Sequence, residues 1–232
     1  MQEDLTYITL MSSLPRPEAV FLAKRPPISR SKLEERLKAL SDDDRARLAS
    51  IEAHIGWQGL ALELDIDGYL KSIKKLMACL GPGTLSTLLQ KRLELRTVLA
   101  ALRLRSMGQA NPPKGAWGYG RFVQTIERSW QQRDFGLGHV YPWLKEAADA
   151  MAEDDTPTVE RLVIEACLTD LNRLGHAHEF DFEAVVIYVL KLNLIKRAAM
   201  KNTEGALLAF DTLKSSALKG WQAEALTWQS GA

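Results

Sequence analysis

Lys91-Arg-Leu-Glu-Leu-Arg-Thr-Val-Leu-Ala-Ala-Leu-Arg-Leu-Arg-Ser-Met-Gly108 is the stretch on which the reading of the fold turns. Wound at 3.6 residues per turn, it sets Leu88, Leu95, Leu99 and Leu102 on one face that can bury together. Arg92, Arg96 and Arg103 fall along the border of that stripe. An arginine there can lay its stem on apolar surface and offer its planar guanidinium to a carboxylate. Two readings follow: an amphipathic helix with a solvated basic border, or a core helix that also presents arginines to another protein.

The helical pattern extends outward in both directions. Ser31-Lys-Leu-Glu34 has the form of a capping box, with Leu33, Leu37 and Leu40 behind it. Ser41-Asp-Asp-Asp44 forms a second, followed by Leu48, Ile51 and Ile55, so a helical hairpin is expected here. Tyr69, Ile73, Leu76 and Leu80 continue the spacing until Gly81-Pro-Gly83 stops it. Thr84 is then read as the N-cap of the central stretch, and Gly108 as its end. Pro142-Trp-Leu144 opens a short helix to Met151. Thr156-Pro157 reads as a cap and first position, and Gly175 as the close of that helix.

Asp181 is placed to cap a last long helix from Phe182 to Lys201. The run Ala184-Val-Val-Ile-Tyr-Val-Leu190 is rich in strand formers. The apolar pattern nevertheless continues through Leu192, Ile195 and Ala199 without a breaker, so its length decides for helix. A final helix after Gly205 and a tail from Gly220 complete the chain. Only Leu5 to Leu14 leaves strand and helix both open. The expected fold is all-α, with at most a short N-terminal strand. Two related helical lobes are expected, at 1–108 and 109–232, able to pack as one domain. The echo between Gln90–Leu99 and Val189–Arg197 suggests the relation.

Composition narrows the function. In 232 residues, 46% are hydrophobic and 25% charged, as in a soluble globular protein, and the net charge of +1 requires any basic site to be local. Cys79 and Cys167 lie far apart in apolar sequence, which favours reduced thiols. No basic n-region opens the chain and no apolar run approaches bilayer length, so a cytoplasmic protein is expected.

Chemistry-bearing motifs are weak. Asp65-Ile-Asp67-Gly68 resembles the opening of a calcium loop, but the glycine comes a residue early and Lys74 stands where glutamate should, so a turn and helix cap is the reading. His176, His178 and Glu179 suggest metal ligands without enough partners to complete a site. No metal and no cofactor is therefore expected. Trp117 to Arg133, with Trp117, Tyr119, Arg121, Arg128 and Trp130, supports an alternative helical nucleic-acid-binding module. Val123, Ile126 and Trp130 at helical spacing also suit plain core packing. An enzyme assembled from His139, Glu165, Asp170 and His176 is a third reading, without a nucleophile–base pair close in sequence to argue for it.

Three segments carry a family resemblance: Tyr7-Ile-Thr-Leu-Met-Ser-Ser-Leu-Pro15, Leu93-Glu-Leu-Arg-Thr-Val-Leu-Ala-Ala-Leu-Arg103 and Phe182 to Arg197. They resemble a bacterial family of uncharacterised proteins encoded beside the genes of V-type ATPases. That family in turn resembles a shortened form of the C (eukaryotic d) subunit of V/A-type rotary ATPases. The full-length form has three helical lobes, and this chain has room for about two. The resemblance implies a non-catalytic coupling or accessory protein between central stalk and membrane rotor ring, cytoplasmic and at most peripheral at the inner membrane. It implies protein partners only, with no small-molecule substrate and no nucleic acid. Arg92, Arg96 and Arg103, with Lys196 and Arg197 in the comparable place of the second half, are the candidate partner-binding residues.

Overall fold

The computed structural model describes residues 2–16, 25–56, 66–115 and 117–200. Every regular element among them is helical, so the all-α expectation holds and the N-terminal segment is helix rather than strand. The helices are α1 (Gln2–Ser13), α2 (Arg30–Leu37), α3 (Asp42–Ile55), α4 (Ile66–Leu80), α5 (Thr84–Ser106), α6 (Val123–Arg128), α7 (Leu144–Ala152) and α8 (Thr156–Gly175). A ninth, α9, occupies residues 182–200. The final helix and tail expected beyond 200 lie outside the described residues.

α5 is the hub. Its buried residues include Leu85, Leu89, Leu93, Val98 and Ala101 as well as the expected stripe, and together they point in every direction around the axis. The reason is its neighbours: α3, α4, α6, α7 and α8 all pack against it. Burying each of its leucines is worth roughly 2 kcal/mol, more than enough to offset the desolvation of the polar groups enclosed with them. The apolar cluster runs unbroken from Leu10 to Ala198, through both halves of the chain. The division at 108/109 therefore falls within one core.

Helix ends show where local sequence decides. Ser41 caps α3 by accepting from the Asp44 N–H at 3.1 Å, as its box predicts. α5 ends at Gly108 (φ 87°): the Gly108 N–H donates to the Arg105 carbonyl and the Gln109 N–H to that of Leu104, the paired bonds of a Schellman close. Asp181 caps α9, accepting from the Ala184 N–H at 2.8 Å. Three other caps sit one or two residues from expectation. Ser29 rather than Ser31 caps α2, Gly83 precedes α5 so that Thr84 is already helical, and Asp155 rather than Thr156 caps α8. Each miss has a rival hydroxyl, carboxylate or glycine close at hand.

One glycine also differs from its expected role. Gly68 lies inside α4, not in a turn, and the Asp65 and Asp67 side chains lie outside the described residues. Gly175 is the last residue of α8, where the helix is expected to close. A Cβ there would sit 3.3 Å from Ile187 Cγ2, so the glycine serves the close crossing of α8 and α9. The strand-like run 184–190 is helix and is buried at every position, which is why it lacks any polar face.

Candidate functional site

The candidate arginines do not form one border. Arg92 stands four residues after Leu88 and three before Leu95, inside the stripe itself. It is 5% exposed, and its guanidinium donates to Cys167 Sγ on α8. Burial raises the Cys167 thiol above its ordinary pKa, with the Arg92 charge acting in the opposite direction. Arg92 therefore cannot meet a partner without leaving the core, which corrects its assignment to a surface border. Arg96 is half-buried, donating to the Tyr69 hydroxyl and lying 4.6 Å over that ring. Burial lowers its pKa to about 10, so it stays charged at neutral pH. Arg197 pairs with Glu160. Arg103 and Lys196 are exposed. Of the five candidates, these two are the most open to a partner.

The unusual segment after α5 has a structural explanation. Residues 117–121 run as a strap across α5, and the Tyr119 N–H donates to Thr97 Oγ1 at 2.8 Å. Gly118 faces Thr97, where a Cβ would fall 2.6 Å from the Thr97 methyl. Gly120 (φ 92°) faces Glu94, where a Cβ would fall 2.5 Å from Cγ. The alternation Gly-Tyr-Gly thus lets the chain pass over two buried polar residues of α5. Glu94 is 1% exposed, accepts from Gln90 Nε2 at 3.2 Å and lies 3.5 Å from Arg121 Nε, so the strap brings its own counter-charge.

The aromatics of this segment are committed inward. Trp130 packs edge-on to Trp117 at 6.3 Å and donates to the Gln109 carbonyl. Trp117 donates to Glu127 at 3.0 Å. Arg105 binds the carbonyls of Trp130, Gln132 and Arg133 and lies over the Phe135 ring. Arg133 pairs with Asp149. Trp130 therefore has no free ring face for a base to stack on, which weighs against the nucleic-acid alternative.

The scattered polar residues of the enzyme reading do not converge. Asp170 takes Lys91 Nζ at 2.5 Å, Glu165 pairs with Arg161 at 3.0 Å, and His139 and His176 are exposed. Tyr141 has its hydroxyl pKa raised by burial first, then by Glu94 and Asp170.

A cluster that sequence spacing does not reveal forms instead around His178. Its Nε2 lies 2.8 Å from Thr84 Oγ1 and its Nδ1 2.6 Å from Asp181 Oδ2. Glu183 brings a further carboxylate, and the three potential ligand atoms lie within 4.8 Å of one another. Sequence spacing pairs His178 with His176 and Glu179, both of which are exposed. Asp181 meanwhile caps α9 through its other oxygen. The cluster thus ties the first residue of α5 to the cap of α9. His178, Asp181 and Glu183 lie within six consecutive residues, and only the contact with Thr84, at a separation of 94, is out of reach of motif reading.

These features define an all-helical protein built around one enclosed central helix, its buried polar side chains engaged by neighbouring elements. The chain belongs to the family described as Protein of unknown function (DUF2764), which matches residues 76–209, from the end of α4 past α9. No curated protein and no solved structure matches the chain. Among the described residues, no helix is long and apolar enough to cross a membrane.

Proposed function

We propose that the chain is a non-catalytic coupling or accessory protein of a bacterial V-type rotary ATPase, acting between the central stalk and the membrane rotor ring. The observation that carries this reading is the state of α5, the helix that holds the middle segment of the resemblance. It is clamped on every side, with Arg92, Glu94 and Thr97 held by α8 and the strap. A helix so enclosed supplies stiffness, which mechanical coupling needs. Its placement on the cytoplasmic side, reaching the membrane through protein partners, belongs to the same proposal.

Arg103 and Lys196 are the residues through which a partner's carboxylates would be met. The test is affinity purification of the full chain from membranes that contain the ATPase. Central-stalk or rotor proteins should co-purify, and Arg103→Glu with Lys196→Glu should reduce their yield severalfold with the folded state intact. Failure of the wild-type chain to retain any ATPase component refutes the reading. Retention that the double variant leaves unchanged refutes these two residues as the contact.

A further inference from the structure

α4 presents an outer face on which three lysines stand together. Lys71, Lys74 and Lys75, spaced i, i+3 and i+4, are all exposed on one side of the helix, with Ser72, Ala78 and Cys79 beside them. Asp67 is the one carboxylate of α4, and from 68 to 93 the sequence contains no aspartate or glutamate. Its other two cations are already engaged, Lys91 by Asp170 and Arg92 by Cys167. None of the three α4 lysines makes an ion pair among the described residues. Arg30 and Arg161, by contrast, each meet two carboxylates: Arg30 those of Glu34 and Glu52, and Arg161 those of Glu146 and Glu165.

Like charges at i, i+3 and i+4 repel and are mildly unfavourable on a helix. α4 is held despite this. Ile73 and Leu76 are buried, and Tyr69 donates to the His54 carbonyl at 2.7 Å. His54 Nε2 in turn lies 2.9 Å from Ser72 Oγ. The lysines thus stand on a fixed platform.

We propose that this face is a docking surface for a protein segment carrying several carboxylates. Two observations favour a protein over a lipid surface. The apolar side of α4 is buried in the core and cannot enter a bilayer. Three lysines without an exposed large apolar neighbour also fall short of the basic clusters that hold proteins on anionic membranes. The proposal does not rest on the rotary-ATPase reading and is tested without the ATPase.

The probe is poly-L-glutamate with the full chain at low and moderate salt. Cys79 is exposed and Cys167 buried, so maleimide alkylation of the native protein reports on the α4 face. Bound poly-L-glutamate should slow Cys79 alkylation severalfold, and salt should reverse the protection. Lys71→Glu, Lys74→Glu and Lys75→Glu together should weaken binding about tenfold or more, the scale of three exposed charge pairs. The corresponding triple arginine variant should bind as wild type. Unchanged binding by the triple glutamate variant, or no protection of Cys79 in the wild type, overturns the proposal. Equal or tighter binding to vesicles with about one-third phosphatidylserine, which would mark a membrane-surface patch, also overturns it. Should the triple variant fail to fold, Cys79 protection in the wild-type chain still decides.

Discussion

At the scale of single residues, the contrast between Gly115 and Gly120 separates two kinds of glycine. Both have positive φ, 83° and 92°, which an L side chain adopts only with strain. Beyond Gly115 there is open space, whereas a Cβ on Gly120 would meet Glu94. Gly115→Ala is expected to cost about 1 kcal/mol, the backbone term alone. Gly120→Ala adds steric overlap with a buried side chain and should cost about 2–4 kcal/mol. Urea denaturation of both variants checks the difference, and equal losses would show that the strap does not press on Glu94. The glycines were legible in the sequence as an oddity of composition. That two of them face Thr97 and Glu94 was not, because that depends on the path of the strap over α5. Arg92 shows the same limit. Its position within the leucine stripe could be read, but its burial depended on α8 covering that stretch of α5.

At the scale of elements, the ends of helices carry the pH response. Hydrogen bonds from Thr158, its hydroxyl first and its backbone N–H second, hold the Asp155 carboxyl below the ordinary carboxylate pKa. The folded state thus releases this proton more readily than the unfolded chain does. Its contribution is complete above the unfolded pKa near 4 and is lost as pH falls through the lowered folded value. Asp155→Asn keeps an N-capping side chain but removes the titration. The variant should therefore lose less stability than wild type between about pH 4 and pH 2, measured as thermal midpoints across that range. A parallel acid profile for the two proteins would place the response elsewhere. Capping was the most legible feature of the elements, since Ser41 and Asp181 act through bonds to residues three positions away. It was least legible where candidates crowd, as at Asp155-Thr156-Pro157 and Ser29-Arg30-Ser31.

At the scale of the whole molecule, one core joins both halves of the chain. α5 belongs by sequence to the first half, yet α7 and α8 of the second half cover it. Asn193 of α9 donates to Glu52 of α3 at 2.8 Å, and Tyr188 to the Pro15 carbonyl at 2.9 Å. The intact protein should unfold in a single urea transition with coincident dichroism and fluorescence changes. A fragment ending at residue 108 would expose the leucines of α5 that α7 and α8 cover, and should remain without a cooperative transition. Independent folding of that fragment would establish two domains.

The sequence by itself determined the helical class, because a 3.6-residue apolar period and sequence-local caps are properties of neighbouring positions. It also determined that residues 184–190, despite their strand-forming side chains, belong to a long buried helix, since no breaker interrupts the pattern. Tertiary structure alone decided which polar side chains are enclosed and which face outward. Arg92 is buried because α8 crosses it, Glu94 because the strap covers it, and Lys71, Lys74 and Lys75 are exposed because α4 turns its apolar side to the core. Burial depends on what another segment places against a residue, and the residue's own neighbours in sequence do not specify that.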